Sequence, residues 1–245
     1  MLFRHDDEGV LAISQPMHAW ISGLLLRATP GNFGDALKLA AEQHDIAWMD
    51  WETEPSFDVS TGRPHLFRDV GAFLHAPMWR RGVERALAAW GPHVALLISR
   101  HGGVIYKRFT TRHRTEARDA EAAQAYLRDQ APREAEWAAA LKLSPAELDV
   151  QSAWIAFVDN LSLAVCGELP TPLELDSPHA GRVRIEADAE AGLRLSPWPF
   201  SADSLVLEGE GARLPEGGRF ADEAAFQAWR PRARRATFSV RLRPA

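Results

Sequence analysis

The chain has 245 residues, 46% of them hydrophobic, enough to bury a sizeable core as one large domain or as a domain with an appended section. Its formal net charge of −5 gives no global electrostatic reason to expect nucleic acid or an anionic membrane surface as a partner. The single cysteine, Cys166, excludes an internal disulfide and a Cys-rich zinc module, so any metal site must use His and carboxylates.

The first residues, Met1-Leu2-Phe3-Arg4-His5-Asp6-Asp7-Glu8, carry acid where a signal peptide carries base and then an apolar run. No stretch approaches the roughly 20 consecutive apolar residues of a membrane span, and the expectation is a cytoplasmic protein with no membrane partner. Leu2-Phe3-Arg4 and Val10-Leu11-Ala12-Ile13-Ser14 flank a polar stretch ending in Gly9, the pattern of a β-hairpin. Gln15-Pro16 then opens a helix on which His18, Ile21 and Leu25 recur at helical steps, so the imidazole lies on the apolar face.

A second helix, starting near Asn32 or Asp35, puts Leu37, Ala40, Ala41, His44 and Trp48 on one stripe. Asp45 is one step of about 100° further round, able to reach a metal from another angle or to bridge two. Residues 49–72 lose periodicity in favour of Asp, Glu, Pro, Thr and Gly, and a long irregular segment in a compact domain is commonly functional. Phe73 to Ala89 predicts another helix, whereas the apolar run His93 to Ser99, ending at Arg100-His101-Gly102-Gly103, fits a strand or a buried helix equally.

Arg112 to Leu141 predicts a charged helix, or a pair broken at Ala131-Pro132. Ser144-Pro145-Ala146-Glu147 is a helix start, with Ser as cap, Pro in the first turn and Glu positioned to answer the cap. The helix it opens is apolar nearly all round, with Trp154, Phe157, Val158, Leu161 and Val165 on one stripe and Asp159 in its midst. A carboxylate in that setting needs a partner, a hydrogen bond or a metal. After Gly167, two-residue alternation in 182–186, 193–195 and 238–242 signals strands, with a short helix around Asp222 to Trp229.

Four segments thus present His18, His44-Asp45, His101 and Asp159 in apolar contexts. Any one of these histidines alone is an ordinary core or surface residue; their alignment makes a shared site for zinc, manganese or iron, all of which accept imidazole and carboxylate ligands. Trp48 and Trp51 beside the His-Asp pair, and Arg100 and Lys107 beside His101, are the candidate substrate contacts. Gly102-Gly103 is too short for a phosphate-binding glycine loop, and Ser14, Ser99 and Ser162 lack a nucleophile-elbow context. The arginines clustered from Arg230 to Arg243 lack interleaved aromatics, which argues against nucleic acid.

The order His, His-Asp, His and a late Asp in an apolar helix resembles the HD superfamily of metal-dependent phosphohydrolases. More narrowly, Ile13-Ser14-Gln15-Pro16-Met17-His18, Gln43 to Trp48 with Trp51, Thr61-Gly62-Arg63-Pro64, the His101 segment, Val158-Asp159-Asn160-Leu161-Ser162 and Pro197-Trp198-Pro199-Phe200 resemble the bacterial domain-of-unknown-function family 3891. The broad resemblance implies a mainly α, HD-like helical bundle (residues 1–167) in which His44 and Asp45 bind a divalent ion with His18 and Asp159. The N-terminal hairpin and a β-rich C-terminal section packed on the bundle (residues 168–245) would make the chain α+β overall. In two-metal HD proteins further histidines lie between the pair and the final Asp; His75 and His101 occupy that interval in order, and His65, His93 and His113 also lie in it.

The function this implies is hydrolysis of a small-molecule phosphate ester with one or two transition-metal ions, Asp45 or Asp159 orienting the water. An HD-type di-iron oxygenase, which would need a ligand such as His75 for the second ion, is an alternative. So is a non-catalytic metal- or small-ligand-binding protein, and so is a set of core residues that never meet.

Overall fold

The computed structural model describes residues 1–111, 116–188 and 192–245, so His113 lies outside the described residues. Strands β1 (Leu2–Asp6) and β2 (Gly9–Ile13) form the hairpin, turning at Gly9, whose φ of 120° favours glycine. The Ser14 hydroxyl accepts from the Met17 N–H and starts α1 (Gln15–Ala28).

Helix α2 (Asp35–Gln43) stops earlier than its apolar stripe predicts. His44 terminates it, Asp45 leaves helical geometry at φ −101° and ψ 19°, and Ile46–Trp48 form a 3₁₀ turn before the short α3 (Met49–Thr53). Within a continuous helix, neighbouring side chains diverge by about 100°. The break lets both His44 and Asp45 turn inward, to 0% and 4% exposure.

The irregular stretch that follows contains a small hairpin, β3 (Phe57–Asp58) and β4 (Arg63–Pro64), and a 3₁₀ turn at Phe67–Asp69. Helices α4 (Ala72–Trp90) and α5 (Pro92–Thr111) come next, and the ambiguous run from His93 to Ser99 is helix, buried from Val94 through Ile98. Helix α6 (Ala117–Leu141) runs through Pro132 without breaking. Proline removes one main-chain hydrogen bond, but the packing of this long helix on α4 and α5 outweighs that loss. The box formed by Ser144 and Glu147 opens α7 (Pro145–Val165).

The remaining elements are β5 (Leu173–Ser177), β6 (Gly181–Ala187), β7 (Leu193–Ser196), β8 (Leu205–Arg213), α8 (Glu223–Trp229) and β9 (Arg235–Pro244). These strands join the N-terminal hairpin in one seven-stranded sheet ordered β1-β2-β8-β9-β7-β6-β5, antiparallel except for the parallel pair β7 and β9. The expectation of a mainly α helical bundle is therefore wrong: the protein is α+β, built on a large mixed sheet. The hairpin is part of that sheet through Leu11 opposite Arg213 and Ala12 opposite Ala212. Val183, Ile185, Leu195, Leu207, Val240 and Leu242 point to the buried face, on which α1 and α7 pack. Arg4 ties the hairpin to the end of α7 by donating to the Val165 carbonyl at 2.8 Å.

Several C-terminal arginines pair with acids: Arg234 with Glu8, Arg235 with Glu210 and Arg243 with Asp188. Among the described residues no helix is long and apolar enough to cross a membrane.

On α5, Gly102 has a packing role rather than a phosphate-binding one. The buried Trp79 indole of α4 donates to the Ile98 carbonyl at 3.0 Å and so lies across the α5 backbone; a Cβ at Gly102 would meet Trp79 Nε1 at 2.3 Å. Gly102→Ala gains about 1 kcal/mol of helix propensity but overpacks a fixed ring, which costs about 1–3 kcal/mol. The urea midpoint of this variant is expected to fall, with an unchanged or higher midpoint refuting the contact as a constraint.

Candidate metal centre

Three parts of the fold meet at one buried point. α1 supplies His18, the break after α2 supplies His44 and Asp45, and α7 supplies Asp159; α5 adds His101. His18 Nε2 is 2.8 Å from Asp45 Oδ2 and 3.7 Å from Asp159 Oδ1. His44 Nε2 lies 3.4 Å from Asp159 Oδ1 and 3.7 Å from Asp45 Oδ2, while His101 Nε2 is 3.8 Å from Asp159 Oδ2. Two triads, His18-His44-Asp159 and His44-Asp45-His101, each bring their ligand atoms within 4.8 Å of one another.

The outer hydrogen bonds decide which ring nitrogens are bare. A main-chain carbonyl only accepts, so His44 Nδ1, at 2.8 Å from the Ala41 oxygen, carries the hydrogen and leaves Nε2 bare when the ring is neutral. That Nε2 is buried and has no hydrogen-bond partner among the described residues. Ser162 donates its hydroxyl to the Asp159 carbonyl at 2.7 Å, so at 2.6 Å it accepts from His18 Nδ1–H. The neutral His18 ring then also directs a lone pair at Asp45. Two imidazole lone pairs and two carboxylates facing one space require a cation there, either a proton or a metal ion.

The titration behaviour follows from the same crowding. Burial disfavours the charged form of His44, but the Asp45 and Asp159 carboxylates outweigh it and hold its pKa at about 9. Burial likewise opposes charge on the two carboxyls, yet His44 and His18 keep Asp45 below its usual range, and His44 and His101 do the same for Asp159. His75 and His101 are pushed down to about 4, chiefly by burial, and stay neutral.

His75 belongs to the same cavity, reached from α4. Its Nδ1 is 2.9 Å from the Tyr106 hydroxyl and its buried Nε2 has no hydrogen-bond partner among the described residues. Its ring lies 4.7 Å from that of Trp48, which also lines the cavity; Trp51 packs edge-on against Trp48 at 5.4 Å instead of lining it. Arg100 and Lys107 are not brought to the metal-ligand cluster. They line a separate hollow, where Arg100 donates to Asp149 at 2.7 Å and to Ser152 at 3.1 Å. They lie beside His101 in sequence, but on a helix adjacent residues face different directions.

Sequence reasoning assigned no site role to Gln15, Phe67, Arg68, Ser162 or Tyr106. Gln15 and Ser162 each lie three residues from a predicted ligand, His18 and Asp159, on the same helix face, and that spacing was the available signal. Phe67 and Arg68 come from the irregular segment; Arg68 is paired with Glu168.

The family described as Protein of unknown function (DUF3891) matches residues 1–216, and the chain belongs to it. No curated protein and no solved structure matches the chain.

In metal-free protein the His44 pKa lies above its ordinary 6.5, at about 9, so the folded state holds that proton more tightly than the unfolded chain. Its stabilising contribution is complete below pH 6.5 and disappears as pH rises through 9. In chelator, the stability gap between wild type and His44→Gln should therefore narrow over that interval. A gap that stays constant would show that His44 is not held protonated by the carboxylates.

Proposed function

We propose that this protein is a metal-dependent phosphohydrolase of the HD type, acting on a small-molecule phosphate ester. The observation that carries the reading is the bare, buried Nε2 of His44 facing Asp45 and Asp159 in a cluster completed by His18. All are ligands suited to zinc, manganese or iron, and their order along the chain matches the HD pattern.

His18 Nε2, His44 Nε2, Asp45 and Asp159 would hold one ion, and His101 and His75 would supply nitrogen ligands for a second. Bound divalent metal supplies a Lewis acid that polarises a phosphoryl oxygen and acidifies water. The chain's own groups do the rest. Ser162 and the Ala41 carbonyl fix the two imidazoles in the ligating tautomer. A carboxylate oxygen of Asp45 or Asp159 not engaged with the ion accepts the water proton as the water oxygen bonds to phosphorus. The ester P–O bond breaks and the alcohol leaves with that proton, giving inorganic phosphate. Trp48, Phe67, Ile105 and Leu163 make part of the cavity wall apolar, and an apolar wall strengthens charge interactions beside it.

The unpartnered Nε2 of His75 favours a two-ion centre and so supports a second reading, a di-iron oxygenase of the same ligand set. One experiment separates the readings: metal content of protein purified without chelator or added metal, with phosphate release and oxygen consumption measured for wild type and His44→Ala. The expected result is one or two transition-metal ions per chain and phosphate release that falls by about 100-fold or more in His44→Ala. Iron with oxygen consumption selects the second reading; metal without turnover leaves a binding protein; and absence of metal from the wild type overturns the proposal.

A further inference from the structure

The cavity beside the candidate centre contains a second unmet demand, on the side of α1. Gln15 is 2% exposed, lines the cavity, and its Oε1 is buried with no hydrogen-bond partner among the described residues. Its backbone N–H is engaged, donating to Glu52 at 2.9 Å, so the side chain is held from behind at the first turn of α1. A buried amide oxygen without a donor costs about 1–3 kcal/mol, and neither His18 nor Asp45 bonds to it. That deficit is met when the occupant of the cavity donates.

The size of the cavity restricts that occupant. Its volume is about 180 Å³. An apolar protein cavity of about 150 Å³ takes up benzene, so this one holds roughly seven non-hydrogen atoms inside its walls. A nucleotide is several times larger. Trp48, Phe67, Val70, Ile105 and Leu163 form the apolar part of the lining, and among the described residues the only Lys or Arg side chain on it, Arg68, is paired with Glu168. His18 and Gln15 are one helical turn apart on the same face of α1, a backbone rise of about 4.5 Å, so one small occupant can face both.

The geometry points to a substrate class: a phosphate ester of a two-carbon alcohol bearing one further hydroxyl or amino group, which donates to Gln15 Oε1 while the phosphate faces His18, Asp45 and Asp159. Gln15 is then the specificity-determining residue. This rests on the metal-dependent reading of the site and adds to it the size and the distal chemistry of the ligand.

The test uses full-length zinc-loaded protein and stopped-flow tryptophan fluorescence, since Trp48 lines the cavity and binding is then read before turnover. The probes are 2-aminoethyl phosphate, 2-hydroxyethyl phosphate, ethyl phosphate and adenosine monophosphate, each against wild type and Gln15→Met. At least one of the two donor-bearing esters should bind wild type about tenfold more tightly than ethyl phosphate, the worth of one buried hydrogen bond. That advantage, read as the ratio of donor-bearing ester to ethyl phosphate affinity within each protein, should vanish in zinc-loaded Gln15→Met, and the nucleotide should bind wild type at least about 100-fold more weakly than the donor-bearing ester. Equal binding of ethyl phosphate and both donor-bearing esters, binding of the nucleotide as tight as theirs, or no binding of any probe to zinc-loaded protein overturns the inference and leaves the metal site standing. Failure of the wild type to take up zinc overturns both.

Discussion

The site depends on one electrostatic constraint: bare imidazole nitrogens and carboxylate oxygens are packed into the same buried space. Among the described residues His44 Nε2 has no hydrogen-bond partner, His18 Nε2 faces Asp45 at 2.8 Å, and Asp159 reaches both histidines. Such an arrangement is costly unless a positive charge occupies it, because buried lone pairs and carboxylates lose their solvation without gaining donors. The raised pKa of His44 and the lowered carboxyls of Asp45 and Asp159 express that cost in protons. A metal ion bound at the same place would compete with that proton.

The fold serves this constraint by bringing together segments remote in sequence. α1 and α7 pack against each other on the sheet, setting His18 opposite Asp159 and letting Ser162 reach back to the His18 ring. The early end of α2 turns His44 and Asp45 inward together. α4 and α5 close the cavity from the far side with His75 and His101, held in contact by the glycine that admits the Trp79 indole. The sheet gives α1 a rigid floor, and through Arg4 it fastens the N-terminal hairpin to the end of α7.

The convergence of His18, His44, Asp45 and Asp159 was more legible in the sequence than the fold. Asp159 was conspicuous because a carboxylate in an apolar helix demands a partner, and His44-Asp45 supplied a candidate from elsewhere in the chain. The hairpin, α1 and α7 were legible because their start signals and periodicities are local. The sheet was not: alternation identifies a strand but not its neighbour, and nothing local says that β2 pairs with β8, about 200 residues away. The end of α2 was hidden because Trp48 continues the stripe of Leu37, Ala40 and His44 although the backbone has already turned. The run from His93 to Ser99 could not be resolved because a fully buried helix lacks a polar face to reveal its period. Arg100 and Lys107 were assigned by sequence proximity, which the helix angle defeats, whereas Gln15 and Ser162 occupy ligand-facing helical positions without being ligands themselves.

The central claim, that the converging nitrogens and carboxylates hold a metal ion, is tested most directly by anomalous diffraction from crystals of the full-length protein loaded with zinc. The account predicts an anomalous peak among His18 Nε2, His44 Nε2, Asp45 and Asp159, with metal-ligand distances of about 2.0–2.2 Å. A zinc-loaded crystal with no peak at that point, and His18 and His44 each hydrogen-bonded to the carboxylates as they stand, would contradict it.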